Sequence, residues 1–145
     1  QIGDKAPHFS GQAQNGNIVR LSDFLGSKLV LFFYPRDNTP GCTLDACNLR
    51  DNYTALSQAG YKVLGVSTDG AQSHRRFIQA YSLPFSLVVD EDHAIHALYG
   101  VWVQKSMFGK KYWGTQRATF VIDEAGVICK VIDKVKVASH TSQIL

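Results

Sequence analysis

Three apolar blocks stand out along the chain up to Val89: Lys28–Tyr34, Tyr61–Ser67 and Ser86–Val89. From Leu29 to Tyr34 every position is apolar, rather than every second one. An unbroken apolar run of strand length is the pattern of a strand covered on both faces. Pro35 ends it, because proline has no N–H to give to a ladder. Val63-Leu64-Gly65-Val66 repeats the pattern in the second block. Between the blocks the apolar spacing widens. Leu44, Cys47, Tyr53 and Leu56 predict one helix from Cys42 to Ala59, stopped by Gly60. A second helix is predicted over Ala71–Tyr81 and a short one over His93–Tyr99.

The flanks read differently. Ala6-Pro7-His8-Phe9 is expected to be extended, since proline restricts the residue before it. Asn15-Gly16-Asn17 is a turn signal that pairs Gln12–Gln14 with Ile18–Leu21, and Ser22 is expected to cap a short turn over Asp23–Leu25. Gly100–Gly114 shows no clear period and reads as irregular. Ala118–Ile122 and Val127–Ile132 predict a hairpin about Asp123-Glu124-Ala125-Gly126, and a short helix follows from Ala138.

Strands that alternate with helices argue for parallel pairing, and a late hairpin adds antiparallel strands. The pattern therefore predicts an α/β chain: a mixed central β-sheet flanked by helices on both faces, with an N-terminal β-hairpin extension. The 145 residues fit one domain, 1–145. Apolar residues make up 45% and charged residues 19%, which excludes a disordered or fibrous chain. A net charge of +3 is too small to argue for nucleic acid. No apolar run approaches the length of a membrane span. Neither nucleic acid nor membrane is expected as a partner. Three cysteines are too few for a secreted disulfide framework, and no leader pattern opens the chain. The expected setting is reducing and cytoplasmic.

Two of those cysteines carry the chemistry. Cys42 follows a buried strand and opens a helix. In open α/β sheets, sites form at this end of the strands. A helix N-terminus offers unpaired N–H groups and a partial positive charge. Both favour a thiolate, the nucleophilic form of cysteine. A buried structural thiol is the plain alternative. Cys47 lies five residues on. On a continuous helix that spacing puts the Cα atoms about 8–9 Å apart and roughly 140° around the axis. A disulfide needs them within about 7 Å. If the two bond, the first turns of the helix must unwind. Otherwise Cys47 is a core residue.

Pro35-x-x-x-Thr39-x-x-Cys42 resembles the active-site pattern of the peroxiredoxins. Pro40-Gly41-Cys42-Thr43-x-x-Ala46-Cys47 is similar to the bacterioferritin comigratory protein (peroxiredoxin Q) subfamily. Gly3–Phe9 looks like its N-terminal strand, and Gly114–Asp123 looks like the segment that carries its distal arginine. The likeness runs to about Val135, nearly the whole chain. It implies a thioredoxin-like fold and thiol-dependent reduction of hydrogen peroxide and organic hydroperoxides. Cys42 would attack the peroxide and become a sulfenic acid. Cys47 would resolve it as an intrachain disulfide. Thioredoxin or a similar dithiol would reduce that disulfide, with no cofactor or metal, in a monomer or weak dimer. Thr39 would hydrogen-bond the peroxide, Arg117 would hold thiolate and oxygen with its fork of N–H groups, and Pro35 would keep water off the sulfur. One position departs from the pattern: Asp45 stands where the subfamily often has Glu. The subfamily's C-terminal helix is also longer than the stretch after Ala138.

Two other readings stay open. An outside thiol could reduce Cys42 without Cys47. The chain could also be a redox sensor or interaction module whose signal is the unwinding helix. Cys129, far from the motif, is expected to be a structural thiol. His93 and His96 are spaced as metal ligands could be, but nothing completes a site, and surface or capping roles are expected. Lys105–Arg117 is basic and aromatic, and is expected to be a solvated loop that walls the peroxide pocket.

Overall fold

The structure, a computed structural model, describes residues 2–145. Its strands are β1 (Ser10–Ala13), β2 (Ile18–Arg20), β3 (Lys28–Phe33), β4 (Tyr61–Ser67), β5 (Ser86–Val89), β6 (Trp102–Met107), β7 (Lys110–Thr115), β8 (Ala118–Ile122) and β9 (Ile128–Ile132). Its helices are α1 (Pro40–Asp51), α2 (Tyr53–Gln58), α3 (Ala71–Tyr81), α4 (Ala94–Leu98) and α5 (His140–Ile144), with a 3-10 turn over Leu21–Phe24. Seven strands form one mixed sheet in the order β2-β1-β5-β4-β3-β8-β9. β3, β4 and β5 run parallel, and β1, β8 and β9 pair antiparallel to their neighbours. Among the described residues no helix is long and apolar enough to cross a membrane.

β3 shows why the sheet is covered on both faces. Its alternate side chains Leu29, Leu31 and Phe33 join Phe9, Leu21, Ile95, Tyr99 and Phe120 on one side. Val30, Phe32 and Tyr34 join Leu49, Leu56, Phe77 and Ile144 on the other. A period of two sends neighbours to opposite faces, so an apolar run needs two layers of cover. Gly65 on β4 is forced by the same packing. A Cβ there would stand 2.6 Å from Leu87 and 2.8 Å from Phe32.

Several expectations need correction. The helix predicted from Cys42 to Ala59 begins at Pro40 and breaks at Asn52. Proline suits the first helical position, because its missing N–H would be unpaired there anyway. The Asn52 side chain donates to the Asn48 carbonyl at 2.8 Å, which supports the break. Leu44 is 49% exposed, and the buried side of α1 is Cys42, Asp45, Ala46 and Leu49. The N-terminal hairpin is shifted to Ser10–Ala13 with Ile18–Arg20. No strand forms over 2–9; a single bridge joins Lys5 to Val127, and the Ala6 N–H donates to the Gly126 carbonyl. At the 3-10 turn, Asp23 rather than Ser22 makes the capping bond, to the Arg20 N–H.

The irregular stretch predicted over 100–114 is a two-stranded antiparallel hairpin, β6–β7. Most of its residues face solvent, so no buried face imposes an alternating pattern on the sequence. Its loop is Phe108-Gly109, without the Asn-Gly that marks such turns.

His96 is buried rather than at the surface. Its Nδ1 meets Asp90 Oδ2 at 2.6 Å, and its Nε2 meets Thr115 Oγ1 at 2.9 Å. Burial alone would raise the Asp90 carboxyl, but the His96 hydrogen bond and the Ile95 and His96 amides outweigh it and hold it below the ordinary value. A carboxyl with a lowered folded pKa contributes stability that is full above about pH 4 and fades as pH falls below that. Asp90→Asn should therefore lower stability at neutral pH, and its deficit against wild type should shrink toward pH values of about 3, read by denaturant unfolding across pH.

Candidate active site

The site is built where β3 ends. Tyr34 follows the strand, a loop runs over 35–39, and α1 begins at Pro40. Thr39 is the N-cap, with extended backbone, and its carbonyl accepts the first helical bond from the Thr43 N–H at 2.8 Å. Pro40 has no N–H. The amides of Gly41 and Cys42 are thus left as open donors at the positive end of the helix. Cys42 sits in that first turn and is 2% exposed.

Arg117 reaches it from the short link before β8. Its Nη2 donates to Cys42 Sγ at 3.1 Å. Its Nη1 lies 3.4 Å from Asp45 Oδ2, one turn further along α1. Asp45, the departure from the expected Glu, does make this contact despite its shorter side chain. Its other oxygen meets His140 Nδ1 at 2.5 Å, and His140 Nε2 meets Thr119 Oγ1 at 2.8 Å. Asp45, Thr119 and His140 are all buried. A chain of side chains therefore runs from the sulfur through Arg117 and Asp45 to α5. His140 escapes sequence reasoning: it is one histidine in a tail, and only the fold brings it beside Asp45.

A second buried network fixes the loop. Asp37 accepts from Tyr34 Oη at 2.6 Å and from Ser73 Oγ at 2.8 Å, and it meets His74 Nδ1 at 2.7 Å. His74 Nε2 donates to the Val88 carbonyl at 2.9 Å. The Asp37 N–H donates to Asp69 at 2.8 Å. Burial, and then the Asp37 carboxylate, hold the Tyr34 phenol well above the ordinary tyrosine range. Asp69 in turn accepts from Ser67 Oγ of β4 at 2.8 Å, so the loop, α3, β4 and β5 are joined. Neither Asp37 nor His74 could be found by motif.

Pro35, Arg36 and Thr39 line a cleft of about 400 Å³ whose other wall is Trp102, Tyr112 and Trp113 of the β6–β7 hairpin. Of the aromatics in the stretch expected as a loop, Tyr112 and Trp113 line this cleft from a strand, whereas Phe108 does not reach it. Thr39 Oγ1 donates to the Arg36 carbonyl at 3.0 Å, so its oxygen remains as an acceptor. Arg117 and Cys42 are thus brought into contact, while Pro35 and Thr39 lie on the loop that leads into α1 and line a cleft that neither Cys42 nor Arg117 lines. Cys47 is half-buried in the same continuous helix as Cys42, and both are free thiols. Cys129, expected to be structural, is exposed on β9, with its S–H toward the Val121 carbonyl at 3.4 Å. His93 stacks on Trp102 with ring centroids 4.2 Å apart.

Residues 2–131 match the AhpC/TSA family. Peroxiredoxin Bcp of Escherichia coli K12 is 46% identical over 145 residues, covering 100% of this chain and 93% of that protein. The chain belongs to the peroxiredoxins, in the bacterioferritin comigratory protein (peroxiredoxin Q) group. Among solved structures, a cysteine-to-serine variant of Xylella fastidiosa PrxQ superposes with a TM-score of 0.93 at 31% identity, covering 99% of this chain and 92% of that one. The bacterioferritin comigratory protein of Xanthomonas campestris, studied for its alkyl peroxide reduction activity, superposes at 0.89 with 34% identity, covering 94% and 87%. The fold is the thioredoxin fold of these peroxiredoxins, and the activity of the family is that of a thiol-dependent peroxidase.

If Asp45 steers Arg117, Asp45→Ala should slow oxidation of Cys42 by hydrogen peroxide about 10²-fold, since small misplacements of a catalytic group cost that much. It should also destabilise the fold by about 1–3 kcal/mol, because His140 loses its buried partner. Stopped-flow rates on protein shown to be folded by circular dichroism check both.

Proposed function

We propose that Cys42 is the peroxidatic cysteine and Cys47 the resolving one, in an enzyme that reduces hydrogen peroxide and organic hydroperoxides. The observation that carries this reading is the 3.1 Å bond from Arg117 to Cys42 Sγ at the open N-terminus of α1. The Cys42 thiolate attacks one peroxide oxygen. The S–O bond forms as the O–O bond breaks, and the leaving oxygen departs as alkoxide or hydroxide and takes up a proton. Charge spreads over sulfur and leaving oxygen, and the Gly41 and Cys42 amides with the Arg117 guanidinium are placed to meet it. Thr39, already donating to Arg36, accepts the peroxide hydrogen. Pro35 shields the sulfur from water.

Resolution needs a different backbone. The Cys47 thiolate attacks the Cys42 sulfenic sulfur, expels hydroxide that is protonated to water, and leaves a disulfide. That requires the start of α1 to unwind. The structure of this helix favours such release. Its buried side chains before Leu49 are only Cys42, Asp45 and Ala46. Asn48 is tied to α5, donating to the Ala138 carbonyl at 3.0 Å and accepting from the Thr141 N–H at 2.9 Å, so unwinding has a stop just beyond Cys47. Segments with little buried apolar surface open first. A dithiol of the thioredoxin type in a reducing, cytoplasmic setting then restores both thiols, in a monomer or weak dimer.

The test is turnover with thioredoxin and its reductase, beside intact mass after one equivalent of hydrogen peroxide. Cys42→Ser should abolish turnover. Wild type should lose two hydrogens, whereas Cys47→Ser should gain one oxygen and stop cycling. Arg117→Met should slow the first step by about 10²–10³-fold, the usual effect of removing such a donor. Equal turnover of wild type and Cys47→Ser would move the resolving thiol outside the chain. Full activity in Cys42→Ser would refute the assignment.

A further inference from the structure

The β6–β7 hairpin carries a feature that neither the fold nor the peroxide chemistry uses. Its two loop residues, Phe108 and Gly109, both have positive φ, +52° and +79°. Glycine suits that conformation, and the position before it normally holds Asn, Asp or Gly. A bulky residue there is an outlier. Phe108 is also 98% exposed. It is strained without being buried, so the fold gains nothing from its ring. Around it Met107 is 56%, Tyr112 42% and Trp113 59% exposed. Residues 102–117 include Lys105, Lys110, Lys111 and Arg117 and no acidic residue.

We propose that this hairpin docks the protein reversibly on anionic lipid bilayers. Phe108 and Met107 enter the boundary between headgroups and acyl chains, Lys110 and Lys111 meet the anionic headgroups, and Tyr112 and Trp113 lie at the interface. An apolar tip beside cations, with aromatic residues set back from it, matches the layers of a bilayer surface in order. A protein partner is the poorer fit, because such interfaces draw their energy from a centre that neighbouring contacts keep dry. Here the apolar groups stand at the turn of a two-stranded projection, with lysines next to them. No membrane span is involved, so the short apolar runs of the sequence do not oppose docking. The expectation of no membrane partner rests on the lack of a span-length apolar run, and a two-residue tip leaves no such run.

Docking has a use that rests on the proposed function. Tyr112 lines both the patch at the tip and the cleft that contains Thr39. A docked hairpin therefore holds that cleft close to the bilayer surface, where hydroperoxides on lipid chains arise.

The experiment is co-sedimentation of the whole protein with vesicles of phosphatidylcholine alone or mixed equally with phosphatidylglycerol, at about 50 and about 500 mM NaCl. Tryptophan emission is recorded alongside. Wild type should bind the anionic vesicles at low salt, with blue-shifted emission, and release at high salt. Phe108→Asn should weaken binding about tenfold or more. It should leave the melting temperature equal or higher, because Asn accepts positive φ. The double variant Lys110→Gln/Lys111→Gln should weaken binding by about 10–30-fold. Both should reduce hydrogen peroxide in solution like wild type. Absence of binding to anionic vesicles at low salt would overturn the proposal, as would binding that neither variant diminishes. A dimer seen by light scattering and dissolved by Phe108→Asn would assign the hairpin to a second copy instead. Vesicle binding by a protein without peroxidase activity would sink the proposed function and leave docking standing.

Discussion

Arg117 bonds Cys42 with residues 40–51 wound as a helix, and the disulfide proposed between Cys42 and Cys47 needs the start of that stretch unwound. Under the proposed chemistry one helix is thus asked for two incompatible conformations. Attack needs the first turn wound, with its amides open and the guanidinium in reach. Resolution needs it unwound.

The parts divide accordingly. The floor is rigid: Phe32, Tyr34 and their neighbours are buried in a sheet covered on both faces, and Asp37, His74 and Asp69 tie the loop before Thr39 to α3 and β4. None of these bonds involves α1. Ahead of Leu49 the helix buries only the small side chains of Cys42 and Ala46, and it is held there by polar contacts, Asp45 to Arg117 and His140, and Asn48 to α5. Hydrogen bonds exchange for water at modest net cost, about 1 kcal/mol each, whereas stripping a large apolar face would cost more. Leu44, the one large apolar side chain between Cys42 and Cys47, already faces solvent at 49% exposure. Unwinding these turns therefore exposes little new apolar surface and leaves the floor in place.

What could be read from the sequence follows from the same physics. β4, α3, β5 and β8 lie where the pattern puts them, because burial on one or two faces writes a period into the residues. The meeting of Arg117 with Cys42 was legible only through the motif, since Arg117 is distant in sequence and joined by tertiary folding alone. The β6–β7 hairpin was invisible, because strands that bury neither face carry no alternation. The buried side of α1 escapes the pattern, because three of its four residues, Cys42, Asp45 and Ala46, are small or charged and only Leu49 is large and apolar. His140, Asp37 and His74 were missed for a related reason: each is tied to partners far along the chain, Asp45 and Thr119 for His140 and the Asp37–His74 pair to one another, and no local spacing records that.

Amide hydrogen exchange on the reduced and the peroxide-oxidised protein tests the central claim most directly. The account predicts that the amides of residues 43–47 lose protection on oxidation while those of β3 and β4 keep it. A protein that has lost two hydrogens in mass yet retains full protection over 43–47 would contradict it.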